Sequence, residues 1–224
     1  MRKLHVALLI LFLLGLPAWA GVVAVSVDAP NGLGTALLVD STDVLAVAWY
    51  QPVVLNSVSI SINFQDLGGA GTYSAYLTDG IGPGSSDLFN GIATNASFTA
   101  PTDEPGMVEV FGGLSLGPGQ YYLVIGTTDT ATQGGWSTPW PDAGVVTTNF
   151  GITRGDVSGV EFWASGTDID PYLPASNFSP LDATSSAQYG DLLFEVSVPE
   201  PSTLWLTAAC ALWFLWLRRR GATA

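Results

Sequence analysis

Between residues 21 and 198 the chain carries short alternating runs and no sustained helical stripe, which confines this stretch to an all-β fold. Val58, Ile60, Ile62 and Phe64 alternate with Ser59, Ser61 and Asn63, the period-two pattern of a strand with one inward face. Tyr73, Ala75 and Leu77 alternate with Ser74, Tyr76 and Thr78, and Asp79-Gly80 closes that run as a turn. Val108 and Val110 open another run. Leu114 and Leu116 lead into Gly117-Pro118-Gly119, where Pro at the second position and Gly at the third suit a type II turn. Residues 120–126 are apolar on both faces after Gln120, which predicts a central strand. The final run puts Leu192, Phe194, Val196 and Val198 inward and Asp191, Leu193, Glu195 and Ser197 outward. Weaker runs lie at 22–27, 44–50, 92–99, 145–150 and 159–164, for a total of about nine or ten strands. The intervals 79–91, 127–144 and 165–188 read as long loops, where a ligand site would sit.

The chain holds 26 Gly and 14 Pro, and all but Gly15, Gly221, Pro17, Pro199 and Pro201 fall within 21–198. So many breakers separate many short elements. A two-layer antiparallel β-sandwich, jelly-roll or Ig-like, is therefore expected, with a closed barrel as the alternative. The stretch is long enough to bury one sizeable core. No disulfide supports it, because the only Cys, Cys210, lies beyond it.

Charge narrows the function. There are 6 Lys+Arg against 19 Asp+Glu, a formal net charge of −13. Arg2, Lys3, Arg218, Arg219 and Arg220 stand at the ends, so 21–198 holds Arg154 and 18 acids (19 less Glu200), a net of −17. Nucleic acid needs a basic face to neutralise its phosphates, so it is excluded as a partner. The only His is His5, and no Lys occurs in 21–198. Ser-His and Ser-Lys dyads and a His/Cys zinc site are therefore closed to the central domain. A carboxylate pair, as in a glycan hydrolase, is the enzymatic reading left. The chain is expected not to be an enzyme.

Both ends read as targeting segments. Arg2 and Lys3 precede an apolar stretch from Val6 to Leu16, Pro17 breaks it, and Ala18-Trp19-Ala20 gives a small-x-small cleavage pattern. Residues 1–20 are thus expected to be a signal peptide, cut by signal peptidase to leave Gly21 as the new N-terminus. At the other end, Pro201 to Leu217 runs without charge. As a helix it would span about 26 Å, enough for a bilayer core. Trp205, Trp213 and Trp216 lie near its ends, where indoles favour the membrane interface. Arg218, Arg219 and Arg220 follow at once, which orients the arginines to the cytoplasm and the domain outside.

The order Val198-Pro199-Glu200-Pro201-Ser202-Thr203, apolar helix, arginine cluster and terminus resembles a PEP-CTERM protein-sorting signal. The resemblance covers about the last 25 residues. It implies a Gram-negative host, a link to exopolysaccharide production, and recognition of Pro199, Glu200 and Pro201 by an exosortase. That integral-membrane transpeptidase would cut near the motif and release or transfer the protein to the cell surface or matrix. The residues agree with this reading. Two prolines two apart fix φ and remove two amide donors, so the segment is held extended and off any sheet. The expected organisation is a signal peptide at 1–20, an acidic β domain at 21–198 and a sorting signal at 199–224. The expected route is an inner-membrane intermediate with its domain in the periplasm, then the cell surface or outside.

Within the domain, Trp136 and Trp140 with Asp142 are candidates for a sugar contact, rings supplying apolar area and the carboxylate accepting hydroxyls. The competing reading makes Trp136 a core or cap residue in a Pro-Gly-x-Tyr-Tyr, Gly-Gly-Trp pattern. Phe162-Trp163 reads as core, and Trp49-Tyr50 as a strand end. Asp168 and Asp170, two apart, and Asp40 and Asp43, three apart, are candidates for Ca²⁺, without EF-hand spacing. No cofactor is otherwise expected. The leading expectation is a structural or adhesive surface or matrix protein, with a carbohydrate-binding module, calcium-assisted or not, as the alternative and a glycan hydrolase behind it.

Overall fold

A computed structural model describes residues 21–69, 71–82, 92–139, 144–156, 160–165, 178–181 and 191–199. The expected signal segment 1–20, with Ala18 and Ala20, lies outside the described residues. So do Glu200, Pro201, the apolar stretch and Arg218–Arg220. Among the described residues there is no helix, and hence none long and apolar enough to cross a membrane. Val23–Val198 forms one compact unit, and the strands below belong to it save for the outer residues of the first and last.

In chain order the strands are β1 (Gly21–Asp28), β2 (Leu33–Val39), β3 (Asp43–Gln51), β4 (Leu55–Gly68), β5 (Tyr73–Thr78), β6 (Ala93–Phe98) and β7 (Gly106–Leu116). They continue as β8 (Gly119–Gly126), β9 (Gln133–Pro139), β10 (Val145–Thr148), β11 (Thr153–Arg154), β12 (Glu161–Ser165), β13 (Ser179–Pro180) and β14 (Phe194–Pro199). They form two antiparallel sheets. One runs β10-β1-β14-β4-β9-β2, with β7 also on β4; the other runs β13-β12-β3-β8-β5-β6, with β11 also on β3.

The long strand β4 organises the first sheet. Its partner β7 pairs with it from Leu55 to Phe64. β14 pairs with Ser59–Ile62 and β9 with Phe64–Gly68. A strand has two hydrogen-bonding sides, so β14 and β9 both take the side opposite β7 and lie end to end along it. Leu193 joins them: Asn63 N–H donates to its carbonyl, and its own N–H donates to Ser137 O. The second sheet repeats this plan. β8 pairs along one side of β3, while β12 and β11 share the other.

Alternation explains the strands that the sequence announced. Val58, Ile60, Ile62 and Phe64 are fully buried, each worth roughly 1.5–3 kcal/mol of apolar transfer. Side chains from the two sheets meet in the core. Trp49 of β3 stacks on Phe194 of β14, ring centroids 6.0 Å apart, and on Tyr121 at 5.6 Å. Phe64 of β4 meets Tyr73 of β5 edge-on at 4.9 Å.

Four expectations are corrected. β5 is buried at all six positions rather than on one face, because it lies between β6 and β8 and is covered on both sides. Leu193, expected outward, is buried where it joins β9 to β14. The interval 127–144 is not one loop, since it contains β9. Gly119 is not at a positive φ, as a type II turn would require, and instead begins β8 opposite Gln51. The Gly117-Pro118 link carries the chain from β7 in one sheet to β8 in the other.

Candidate functional site

Two expected processing positions are described. Gly21 is the first residue of β1, and Pro199 is the last of β14; both are exposed. β1 and β14 are neighbours in one sheet. Pairing of β14 with β4 stops at Ser197, opposite Ser59, so Pro199 lies beyond the residues paired with β4. Proline has no N–H to donate to a ladder. Val198 before it is still buried, so the core holds the chain up to the residue preceding Pro199-Glu200-Pro201.

The end of the sheets reached by β14 is tied together by polar side chains. The buried Gln51 aims its amide nitrogen at the carbonyls of Val53, Leu116 and Gly117, at 2.8, 3.1 and 3.1 Å. Tyr121 donates its hydroxyl to Gly117 O at 2.7 Å. Asn149 donates its backbone N–H to Ala24 O and its side-chain amide to Val23 O. These bonds satisfy carbonyls that crossing between sheets leaves without ladder partners.

Trp136 does not offer a ring to a sugar. It is fully buried, and its indole N–H donates to Leu193 O at 2.8 Å. Gly134 explains the motif before it. A Cβ there would fall 2.5 Å from the rings of both Phe64 and Tyr73, so these aromatics pack directly on bare backbone. Gly-Gly-Trp is thus a packing device of β9. Trp140 and Asp142 lie outside the described residues, as do Asp168 and Asp170. Asp40 is committed to its own turn. One of its carboxylate oxygens accepts from Thr42 N, Thr42 Oγ1 and Asp43 N at 2.7, 2.7 and 2.9 Å. That is an Asx-type turn between β2 and β3. Among the described residues no three His, Cys, Asp or Glu side chains converge as a metal site would need. Phe162 is buried and Trp163 half-buried, and Trp49 is fully buried beside the exposed Tyr50.

Sequence reasoning missed a second constellation. Arg154 on β11 pairs with Glu161 on β12 and, at 3.0 Å, with Asp191 ahead of β14. All three side chains are largely shielded, the carboxylates at 10% and 25% exposure. Burial pulls the Arg154 guanidinium below its usual range, and the Asp191 carboxylate pulls it back up. Asp191 also accepts from Gly144 N at 3.2 Å. Nearby, Tyr122 donates its hydroxyl to Asp156. The chemistry here is that of a bolt. A guanidinium matched by two carboxylates leaves no net positive charge to draw an anionic ligand, and it ties β11 and β12 of one sheet to the approach to β14 in the other. Its signal in the sequence was the lone base itself: one Arg within a strongly acidic stretch reads as a buried counter-ion once its neighbours in space are known.

Comparison with known proteins gave no match to a family model, to a curated protein or to a solved structure.

Proposed function

We propose that this chain is an exported, non-enzymatic surface or matrix protein, delivered through a C-terminal sorting signal of the PEP-CTERM kind and linked to exopolysaccharide. The observation that carries the reading is the order of Pro199-Glu200-Pro201, the uncharged stretch to Leu217 and Arg218–Arg220 at the end of a chain that begins with a signal-like segment. The compact unit Val23–Val198 lies between the expected signal-peptidase site and the motif, so either cut would fall outside it. In this reading the two sheets are the layers of a β-sandwich of the jelly-roll or Ig-like kind, supported by the Trp49–Phe194 and Phe64–Tyr73 contacts between them. The domain serves as a structural or adhesive body. The carbohydrate-binding alternative loses Trp136, whose ring is spent on the core.

The test is mass spectrometry of the protein from its own host, with and without the exosortase-type sorting enzyme. The expected mature form begins at Gly21 and lacks the apolar stretch only when that enzyme is present. An intact tail in both strains overturns the sorting reading.

A further inference from the structure

Strand registers gather several uncharged segments of the domain at one end and Asp40, Asp43, Asp66 and Asp129 at the other. β4 begins at Leu55 opposite Leu116, β3 ends at Gln51 opposite Gly119, and β14 leaves with Ser197 opposite Ser59. Asn149 is bonded to Val23 and Ala24, and a Cβ on Gly151 would lie 3.3 Å from the Pro52 ring. Segments 23–24, 50–55, 116–119 and 149–152 and residue 198 therefore share one end, and none of them contains Asp, Glu, Lys or Arg; the acid placed near them is Asp79, which follows β5 level with Tyr121. There Tyr50, Val53, Val54 and Phe150 are 44%, 39%, 60% and 42% exposed. Phe150 also holds φ at 56°, a left-handed conformation that costs a bulky L-residue energy, at the tip of its turn. The opposite end carries Asp40 and Asp43 between β2 and β3, Asp66 near the close of β4, and Asp129 beyond β8. Asp66 pairs with Gly134, which in turn pairs with Val39, so these turns lie level with one another.

Chain length says what the end that carries Tyr50, Val53, Val54 and Phe150 meets. Three residues after Val198 the uncharged stretch Pro201–Leu217 begins, and three Cα steps reach at most about 11 Å. Before processing, the membrane segment is tethered to this end and not to the acidic one. A domain of formal charge −17 is repelled by an anionic leaflet unless its acids turn away. We propose that this end rests on the lipid surface of the bilayer that holds the C-terminal segment, with Tyr50, Val53, Val54 and Phe150 at headgroup depth, and so presents Pro199–Pro201 at the membrane face before it is cut. Exposed aromatic and aliphatic side chains on a rim with few charges are the chemistry that an interfacial contact selects. The inference rests on the sorting reading, since it takes residues 201–217 as membrane-inserted.

The experiment uses the full chain, with Cys210→Ala and one new thiol for a fluorophore, reconstituted into phosphatidylcholine vesicles. Val54→Cys reports the proposed docking end, and Leu67→Cys, 46% exposed beside Asp66, reports the acidic end. Nitroxide carried on the lipid headgroups should quench the label at 54 severalfold more than the label at 67. Adding Tyr50→Ser and Val53→Ser should bring the two labels to equal quenching while circular dichroism stays unchanged. Equal quenching in the unaltered chain, when that chain floats with the vesicles, overturns the docking and leaves the membrane anchor standing. A label at 54 that is shielded from water yet untouched by the lipid nitroxide assigns the surface to a protein partner, and overturns the lipid assignment. A chain that fails to float removes the anchor and the docking together.

Discussion

The indole nitrogen of Trp136 donates to the carbonyl of Leu193, 2.8 Å away and 57 residues later in the chain. With the backbone bonds from Asn63 N–H to the same carbonyl and from Leu193 N–H to Ser137 O, it closes the corner where β9 and β14 meet end to end along β4. Trp136→Phe keeps a ring but removes one of the two donors to Leu193 O, leaving that of Asn63, a loss of about 0.5–1.5 kcal/mol. Trp136→Ala adds a cavity and should cost about 3–5 kcal/mol. Urea unfolding followed by far-ultraviolet circular dichroism would read both. A shift in midpoint for neither variant would mean that the ring is not part of the core.

Gly134 is the partner requirement. Its missing Cβ is the space that Phe64 and Tyr73 occupy, so Gly134→Ala should destabilise by about 1–3 kcal/mol through overpacking. Gly117→Ala is the control. Nothing lies within 4 Å of its Cβ position and its φ is ordinary, so its midpoint should stay within about 0.5 kcal/mol of the parent. Comparable losses at both sites would refer the effect to glycine in general and not to the ring contact.

These two residues show where the sequence was legible and where it was not. Val58 through Phe64 declared β4 because one of its faces is buried and the other is half-open, and period-two patterning is the trace that such a strand leaves. β9 left no such trace. Gly134, Gly135, Ser137 and Thr138 are all buried there, so polarity does not alternate, and the residue types are those of a turn. The same holds for Leu193, whose inward position comes from the junction of two strands end to end. Arg154 could be located by its rarity, but its two partners lie on separate strands, and spacing along the chain does not bring them together. Of the expected sugar platform only Trp136 is described, and its burial agrees with the core reading of the Gly-Gly-Trp pattern; its bond to Leu193 is the part that no local pattern encodes.

Alkaline pH should unfold the domain. Burial, reinforced by Asp66 beside Tyr73 and by the Asp156 hydrogen bond at Tyr122, pushes both phenols well above their ordinary value of 10.0. In the unfolded chain these protons leave as pH passes about 10, while the folded chain retains them. The folded state then binds more protons, so stability is complete below pH 10 and falls as pH rises through the folded values. Tyrosine absorbance followed against pH should show a fraction of the phenols ionising only together with the loss of circular dichroism. Tyr73→Phe and Tyr122→Phe, combined, should flatten that dependence. An unaltered slope would place the alkaline sensitivity elsewhere.

The Arg154 bolt makes the most demanding prediction. Exposed ion pairs are worth about 0–1 kcal/mol, so removing one partner of such a pair changes little. Here Arg154 and Glu161 are nearly closed off from water and Asp191 is three-quarters covered, so removing the base strands two carboxylates that have given up much of their hydration. Arg154→Met should therefore cost about 3–5 kcal/mol at neutral pH. Adding Glu161→Gln and Asp191→Asn to Arg154→Met removes the uncompensated charge and should recover part of the loss at neutral pH. Urea midpoints of the parent, single and triple variants at neutral pH would decide the matter. A single variant that loses under about 1 kcal/mol would assign Arg154 to the surface class of ion pair, and the link between the two sheets would then rest on the Trp49–Phe194 and Phe64–Tyr73 contacts.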